Sequence, residues 1–292
     1  MTDPSESVSK GGKDVSGTPR RPGVLVVAYY YPPVVSGGSR RPESFVRGLG
    51  ARGFRTAALT QTPGATDLRS VPLRVHDPTF NLYRQGSRLL RWALWRGAVE
   101  VLNRLGSPVS ILSPWKSRVC RRIGGIRAAF AADIVLASYP PAETLEIGLE
   151  MARQWHVPLV ADFRDGLIFD PIEHQRLARF GCVRRHYEQL EREVAAGARL
   201  ILAAHPGLAD YLREVAGSSR VVFHPNAFDR AEILSVNAKQ MGADTFDIVH
   251  AGGFAASDPA CDISPFVDVV EERMHEGGDP VYEVNKPFIL HM

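Results

Sequence analysis

Residues 24–43 read VLVVAYYYPPVVSGGSRRPE, an apolar run that gives way to two prolines, two adjacent glycines and two arginines. Apolar residues at successive positions are expected of a strand covered on both faces, and the prolines and glycines that follow punctuate its end. Ser39 stands where a helix N-cap belongs, and Pro42 suits a first turn whose N–H is free in any case. A helix therefore starts near Arg40. Its opening turn leaves backbone N–H groups without partners and concentrates about half a positive charge there. Gly37 and Gly38 remove side chains that would hold a guest away from the backbone, and they tolerate positive φ. Arg40 and Arg41 add fixed charge at the same point. A phosphate or diphosphate suits such a turn, while a tight strand-to-helix turn with no guest would use the same glycines. The spacing is not G-x-G-x-x-G, and no acidic residue stands about 20 residues on, after AALTQT, which weighs against a dinucleotide-dependent dehydrogenase.

Outward from this turn, short β-branched runs alternate with amphipathic stretches, the pattern of a parallel sheet wrapped by helices. Strands are expected at 24–30, 55–60, 73–77, 133–139, 158–163, 199–204 and 220–225. Helices are expected near 40–52, 86–105, 115–131, 141–155, 171–197 and 206–216. The fold class is α/β, a Rossmann-like doubly wound parallel sheet over residues 23–228. A polar interruption at 229–245 reads as a linker, and FDIVHAGGF with the helix-like stretch after it starts a second α/β domain over 246–292 that is not completed. Residues 1–22, polar and rich in Gly, Ser and Pro, read as a disordered tail.

Composition narrows the function classes. Of the 292 residues 45% are apolar and 23% charged, and a formal charge of +3 does not by itself imply nucleic acid. Cys120, Cys182 and Cys261 are odd in number and far apart, so no disulfide framework or CxxC site is available. No run approaches the ~20 apolar residues needed to span a bilayer, and the N-terminus lacks a signal-peptide core. These features suit a cytoplasmic protein. His174, Cys182 and His186 share one expected helix without metal-site spacing, and no metal is expected. No G-x-S-x-G hydrolase signature occurs.

Two further constellations carry chemistry. ADFRDG, residues 161–166, sits where a buried strand emerges, so Asp162, Arg164 and Asp165 lie at the carboxyl edge where such sheets bind ligands. These carboxylates either accept hydrogen bonds from sugar hydroxyls or form an internal Arg–Asp pair. Ser138 and Tyr139 close the preceding strand at the same edge. Residues 84–127 hold ten Lys and Arg against the single acid Glu100, with Trp and Leu interleaved. Arg88, Arg91, Trp92 and Trp95 offer a face suited to an anionic membrane; the same helix could instead pack its apolar side on the sheet. Nucleic acid is not expected, since no recognition module accompanies the patch.

The segments at 29–60, 135–166, 223–229 (FHPNAFD) and 248–254 (IVHAGGF) together resemble the N-terminal half of a GT-B fold glycosyltransferase of the family-4 type, the retaining enzymes that use sugar nucleotides. The resemblance implies an acceptor-side Rossmann-like domain facing a donor domain across a cleft, no resident cofactor, and a nucleotide-diphosphate sugar as donor substrate. It implies Gly37, Gly38, Ser39 and Arg40 near the donor diphosphate, joined by Gly252 and Gly253 from the glycine turn of the donor domain. Asp162, Arg164, Asp165, Ser138 and Tyr139 would line the acceptor cleft; many relatives carry a histidine where Ser138 and Tyr139 stand. Asn226 would bond the turn of the crossover segment. The partner implied is a glycan or lipid-linked acceptor, as in polysaccharide biosynthesis; the basic face within 84–127 adds an anionic membrane surface at which the protein would be peripheral. The relatives place a basic pair just after the glycine turn and later an E-x7-E element. Here no Lys or Arg occurs from Phe254 to Glu272, and no E-x7-E follows. The expectation is a truncated glycosyltransferase with little activity alone, or else a non-catalytic module that binds a glycan or a partner enzyme.

Overall fold

The computed structural model describes residues 20–34, 36–61, 71–80, 89–169, 179–217 and 220–227, with residue 234. The chain divides into two compact units, Met1–Arg230 and Ala231–Met292. All the elements below belong to the first. The expected tail up to residue 19, nearly all of the 229–245 linker, and the whole of 246–292 with Gly252 and Gly253 lie outside the described residues.

Seven strands form one parallel sheet. They are β1 (Gly23–Val27), β2 (Arg55–Thr60), β3 (Val71–Arg74), β4 (Ile134–Tyr139), β5 (Leu159–Phe163), β6 (Leu200–Ala203) and β7 (Val221–Phe223), in the spatial order β3-β2-β1-β4-β5-β6-β7. β1 lies between β2 and β4, with Val24 opposite Thr56 on one side and Ile134 on the other. Chain order reverses between β1 and β4, and in open parallel sheets ligands bind in the crevice at the carboxyl ends around such a switch point. That places any site beside the loops after β1, β4 and β5.

The helices are α1 (Arg40–Ala51), α2 (Leu89–Arg104), α3 (Ser113–Cys120), α4 (Ile123–Ala129), α5 (Ala142–Trp155), α6 (Gly181–Gly197) and α7 (Pro206–Ala216). Alternate residues of β1 feed two cores, as the period of two requires. Val24, Val26 and Ala28 pack with Val46 of α1. Leu25, Val27 and Tyr29 join Trp115, Leu145, Ile147 and Leu190 on the other face. α5 lies close on β4 because Gly148 has no Cβ; one added there would stand 2.6 Å from the Cβ of Ala137.

Most boundaries shift by a few residues from the sequence expectation, and two of the differences have a packing cause. The helix expected over 115–131 is two helices, parted at Arg121–Arg122 where Arg122 N donates to Val119 O at 2.8 Å. The bend buries both Trp115 and Ile126 against the sheet, and Gly124 with Gly125 lends the stretch little helix propensity to resist it. The strand expected at 73–77 ends at Arg74, because the next residues serve the core: Val75 O accepts from Trp115 Nε1 at 2.9 Å, and Asp77 from the Tyr29 hydroxyl at 2.5 Å.

Candidate functional site

The loop between β1 and α1 does not close in the manner of a side-chain cap. Ser39 is 1% exposed, and its Oγ donates to Ser36 O at 2.9 Å in place of capping the helix. The positive-φ glycines among the described residues are Gly53, Gly106 and Gly217, so neither Gly37 nor Gly38 is needed for backbone freedom. A Cβ on Gly37 would meet open space, whereas one on Gly38 would stand 3.0 Å from Arg164 Nη1 and 3.2 Å from Tyr30 Cδ2. Gly38 is therefore the floor on which Arg164 and Tyr30 rest. Arg40 is exposed and lies 3.5 Å from Glu43 on its own helix.

Arg41 takes a direction the sequence did not disclose. Instead of adding charge to the loop, it turns inward, with 6% of its side chain exposed, onto the fully buried Asp162. Its Nε and Nη2 donate to the carboxylate at 3.0 and 2.7 Å. Nη2 also donates to His224 O at 2.8 Å, and Nη1 to Pro225 O at 2.9 Å and to Asn226 Oδ1 at 3.2 Å. A guanidinium has five N–H donors, and these contacts occupy all of them. Ser138 Oγ donates to the other carboxylate oxygen of Asp162 at 2.8 Å. The guanidinium also sits 5.4 Å from the centroid of the Phe45 ring, which stacks on His224. Burial, followed by the Arg41 charge, lowers the His224 pKa. Asp162 of ADFRDG thus pairs with Arg41 from outside the segment, and not with Arg164 within it.

Asp162, Ser138 and Tyr139, expected to line the acceptor cleft, are buried, 0%, 1% and 5% exposed. Their polar atoms hold the carboxyl edge together: Tyr139 O accepts from the backbone and the Nε of Arg164 at 3.2 and 3.0 Å. Asn226, expected to bond its own turn, gives its Oδ1 to Arg41.

Arg164 and Asp165 do reach the surface. The Arg164 guanidinium rests on carbonyl oxygens alone: Tyr139 O, Pro140 O at 2.7 Å and, more loosely, Gly37 O at 3.4 Å. No carboxylate among the described residues pairs with it. Burial lowers its pKa, outweighing the nearby Asp162 and Asp165, which marks a cation partly stripped of water. Burial also raises the Tyr30 phenol beside it. Here at the switch point, a partly desolvated cation borders an open glycine turn, an arrangement that receives an anion.

Sequence reasoning missed two polar groups at this edge. The Ser36 hydroxyl and both amide atoms of Gln61, just past β2, are buried without hydrogen-bond partners. The only signal was a Gln closing the apolar run AALT. Among the described residues no group of three or more His, Cys, Asp or Glu is placed to hold a metal. His186 faces Glu146 at 3.0 Å, and Cys182 donates to Asn103 O; His174 lies outside the described residues. Trp92 and Trp95 of the expected membrane face are half-buried, with Trp95 Nε1 donating to Ile111 O at 3.1 Å. Arg91 is exposed, and Arg88 lies outside the described residues. No described helix is long and apolar enough to cross a membrane.

Residues 36–227 match the family described as glycosyl transferase 4-like domain. No curated protein matches the chain. Among solved structures, it is similar to a sucrose-phosphate synthase from Thermosynechococcus elongatus at 10% identity and a TM-score of 0.46, over 72% of this chain and 92% of that one. UGT89C1 of Arabidopsis thaliana complexed with UDP aligns at 12% identity and a TM-score of 0.46, over 72% and 50% of the two chains. A putative UDP-N-acetylglucosamine 2-epimerase from Listeria monocytogenes aligns at 13% identity and a TM-score of 0.41, over 69% and 44%. The chain spans about half the length of the last two.

Proposed function

The chain belongs to the glycosyl transferase 4-like domain family, and from that premise we propose that it binds a nucleotide-diphosphate sugar and serves transfer of the sugar to a glycan or lipid-linked acceptor. In such a transfer the bond from the sugar's anomeric carbon to the diphosphate breaks, and a bond from that carbon to an acceptor oxygen forms. The acceptor hydroxyl loses its proton, and the nucleoside diphosphate departs with the negative charge. Stabilising that leaving charge is the electrostatic task a protein performs best in a site with little water.

One observation carries the reading: Arg164, desolvated and supported only by carbonyl oxygens, lies against Gly38 beside the open Gly37. Arg164 therefore moves from the acceptor side, where its position in the sequence put it, to the diphosphate. Asp165, exposed at the same edge, keeps the acceptor role. The stretch from Phe254 to Glu272 adds no Lys or Arg, so this chain alone is expected to bind better than it turns over.

Calorimetric titration of residues 1–292 with UDP, GDP and ADP, against the matching nucleosides, tests this. A nucleoside diphosphate should bind and its nucleoside should not. Arg164→Gln should weaken binding about 10- to 100-fold, the worth of a charge-assisted hydrogen bond, with Arg164→Lys between. If none of the three diphosphates binds, or Arg164→Gln binds as the parent does, the reading is wrong.

A further inference from the structure

α2 turns a line of apolar side chains away from the sheet. Leu94, Ala98, Val101 and Leu105 recur at spacings of four, three and four, which sets them on one helical face. Leu105 extends that face past the last residue of the helix, its N–H bonded to Val101 O at 3.0 Å. Leu94 is 65%, Val101 53% and Leu105 77% exposed, with Leu102 and Ile111 at 37% alongside. The opposite face does the packing: Val99 and Asn103 are buried, and Trp92 and Trp95 half-buried. A helix on a water-soluble surface ordinarily presents polar residues outward. Single exposed apolar residues need no explanation; an aligned row of them does.

Positive charge borders the row. Arg91, Arg96 and Arg104 are exposed along α2, Arg96 lying over the Trp92 ring at 4.7 Å. Arg104 joins Arg179 and Arg185 around a cleft of about 540 Å3 at the end of the helix. Glu100, the single acid within residues 84–127, is held at 2.7 Å by Arg104 and at 2.9 Å by Arg179. Within residues 84–127 no other acid opposes an anionic partner.

We propose that this face of α2 docks on the surface of an anionic lipid bilayer, with Leu94, Val101 and Leu105 entering the interface and the arginines meeting lipid headgroups. A second copy of the chain is a poorer occupant, since apposing two such faces sets arginines against arginines. Of the face the sequence suggested, Arg91 is kept, while the half-buried Trp92 and Trp95 give place to Leu94, Val101 and Leu105. Location adds a consequence that rests on the glycosyl-transfer reading. Asn103 O accepts from Cys182 in the first turn of α6, and the Ser110 hydroxyl bonds Glu143 in the first turn of α5. Those helices follow β5 and β4, so α2 flanks the carboxyl edge that carries Arg164, and a docked bilayer would lie beside it with a lipid-linked acceptor.

Flotation of the full chain with vesicles of phosphatidylcholine alone, and with about 30% phosphatidylglycerol added, decides the matter. Binding is expected to the anionic vesicles only, to fall as salt rises, and to drop about tenfold in Leu94→Ser/Val101→Ser/Leu105→Ser. These three positions are exposed, so circular dichroism should show the variant folded. Arg91→Gln/Arg104→Gln should weaken binding with the apolar row intact. Equal binding to both vesicle types, or an unchanged serine variant, overturns the proposal. So does a parent chain that is dimeric by sedimentation and becomes monomeric on serine substitution, or one that binds duplex DNA in preference to the vesicles. The assay contains no nucleotide, so its failure leaves the Arg164 reading standing, and the reverse.

Discussion

Replacing Arg41 by Met removes a buried cation while keeping much of its volume. Asp162, 0% exposed, would be left with Ser138 as its remaining side-chain donor, and the carbonyls of His224 and Pro225 would lose the guanidinium. Breaking a buried ion pair from one side costs about 3–5 kcal/mol, because the partner's charge stays buried and uncompensated. For a unit of this size, about 2–4 °C of melting temperature follow each kcal/mol, so Tm should fall by about 6–20 °C. Arg41→Lys keeps the charge but offers three donors from a single nitrogen, which cannot reach a carboxylate and three oxygens of residues 224–226 together; about 1–3 kcal/mol is expected from the unmet acceptors. Guanidinium chloride unfolding followed by tryptophan fluorescence isolates the unit, since Trp92, Trp95, Trp115 and Trp155 all lie before residue 230. Arg41→Met/Asp162→Asn should cost clearly less than the sum of its parts, as coupled partners do. Amide exchange at residues 224, 226 and 227 should quicken in both single variants. An Arg41→Met variant within about 0.5 kcal/mol of the parent, the range of ordinary surface changes, would refute the reasoning, as would strict additivity of the double variant.

Gly37→Ala should leave stability within about 0.5 kcal/mol, because the new methyl meets nothing within 4 Å. Gly38→Ala should press on Arg164, whose Nη1 stands 3.0 Å from the new Cβ and can give way by a few tenths of an ångström, and so weaken nucleoside diphosphate binding less than Arg164→Gln does; calorimetry showing a loss as large as that of Arg164→Gln would contradict this. Glu191 is 3% exposed, accepts from the Tyr211 hydroxyl at 2.6 Å, and has its pKa raised by burial above the ordinary 4.5. With the folded value above the unfolded one, its contribution is full below pH 4.5 and is lost as pH climbs through the raised value. Glu191→Gln should therefore gain on the parent as pH rises from about 4 to about 8 in denaturation series, and parallel curves would rule this out.

The sheet was legible because a strand buried on both faces must be apolar at successive positions, and runs such as VLVVA and IVLAS have no other comfortable place. The helix break at Arg121–Arg122 was not, since it answers to how Trp115 and Ile126 reach the sheet, a tertiary demand that overrides local periodicity. The same limit governs the site. The chemistry at the edge was readable by residue type, but the local sequence pairs the wrong arginine with Asp162: Arg164 stands two residues from it and Arg41 more than a hundred. Which one the Asp takes depends on the strand pairing that sets Ser138 opposite Asp162 and on α1 bringing Arg41 over them.

The division of labour between these two arginines follows from the one carboxylate they could share. Asp162 is at the end of β5, and its two oxygens are fully engaged by Arg41 and Ser138. Arg164, two residues on, is left with carbonyl dipoles, which hold its plane in position without cancelling its charge. Had Asp162 paired with Arg164, the loop would border a neutral surface, and Arg41 would have no compensated route into the interior. A buried pair is weak as a source of stability and stronger as a means of fixing one arrangement among several. Its work here is to tie α1, β4, β5 and residues 224–226 together and to leave the neighbouring guanidinium without a contacting carboxylate, among the described residues, beside Gly37. On that account Asp162→Asn should do more than destabilise. By freeing an amide that Arg164 cannot use as a counter-ion, it should leave the cation at the loop intact while loosening the frame around it. Nucleoside diphosphate affinity should then fall through a faster off-rate, with the salt dependence set by Arg164 unchanged.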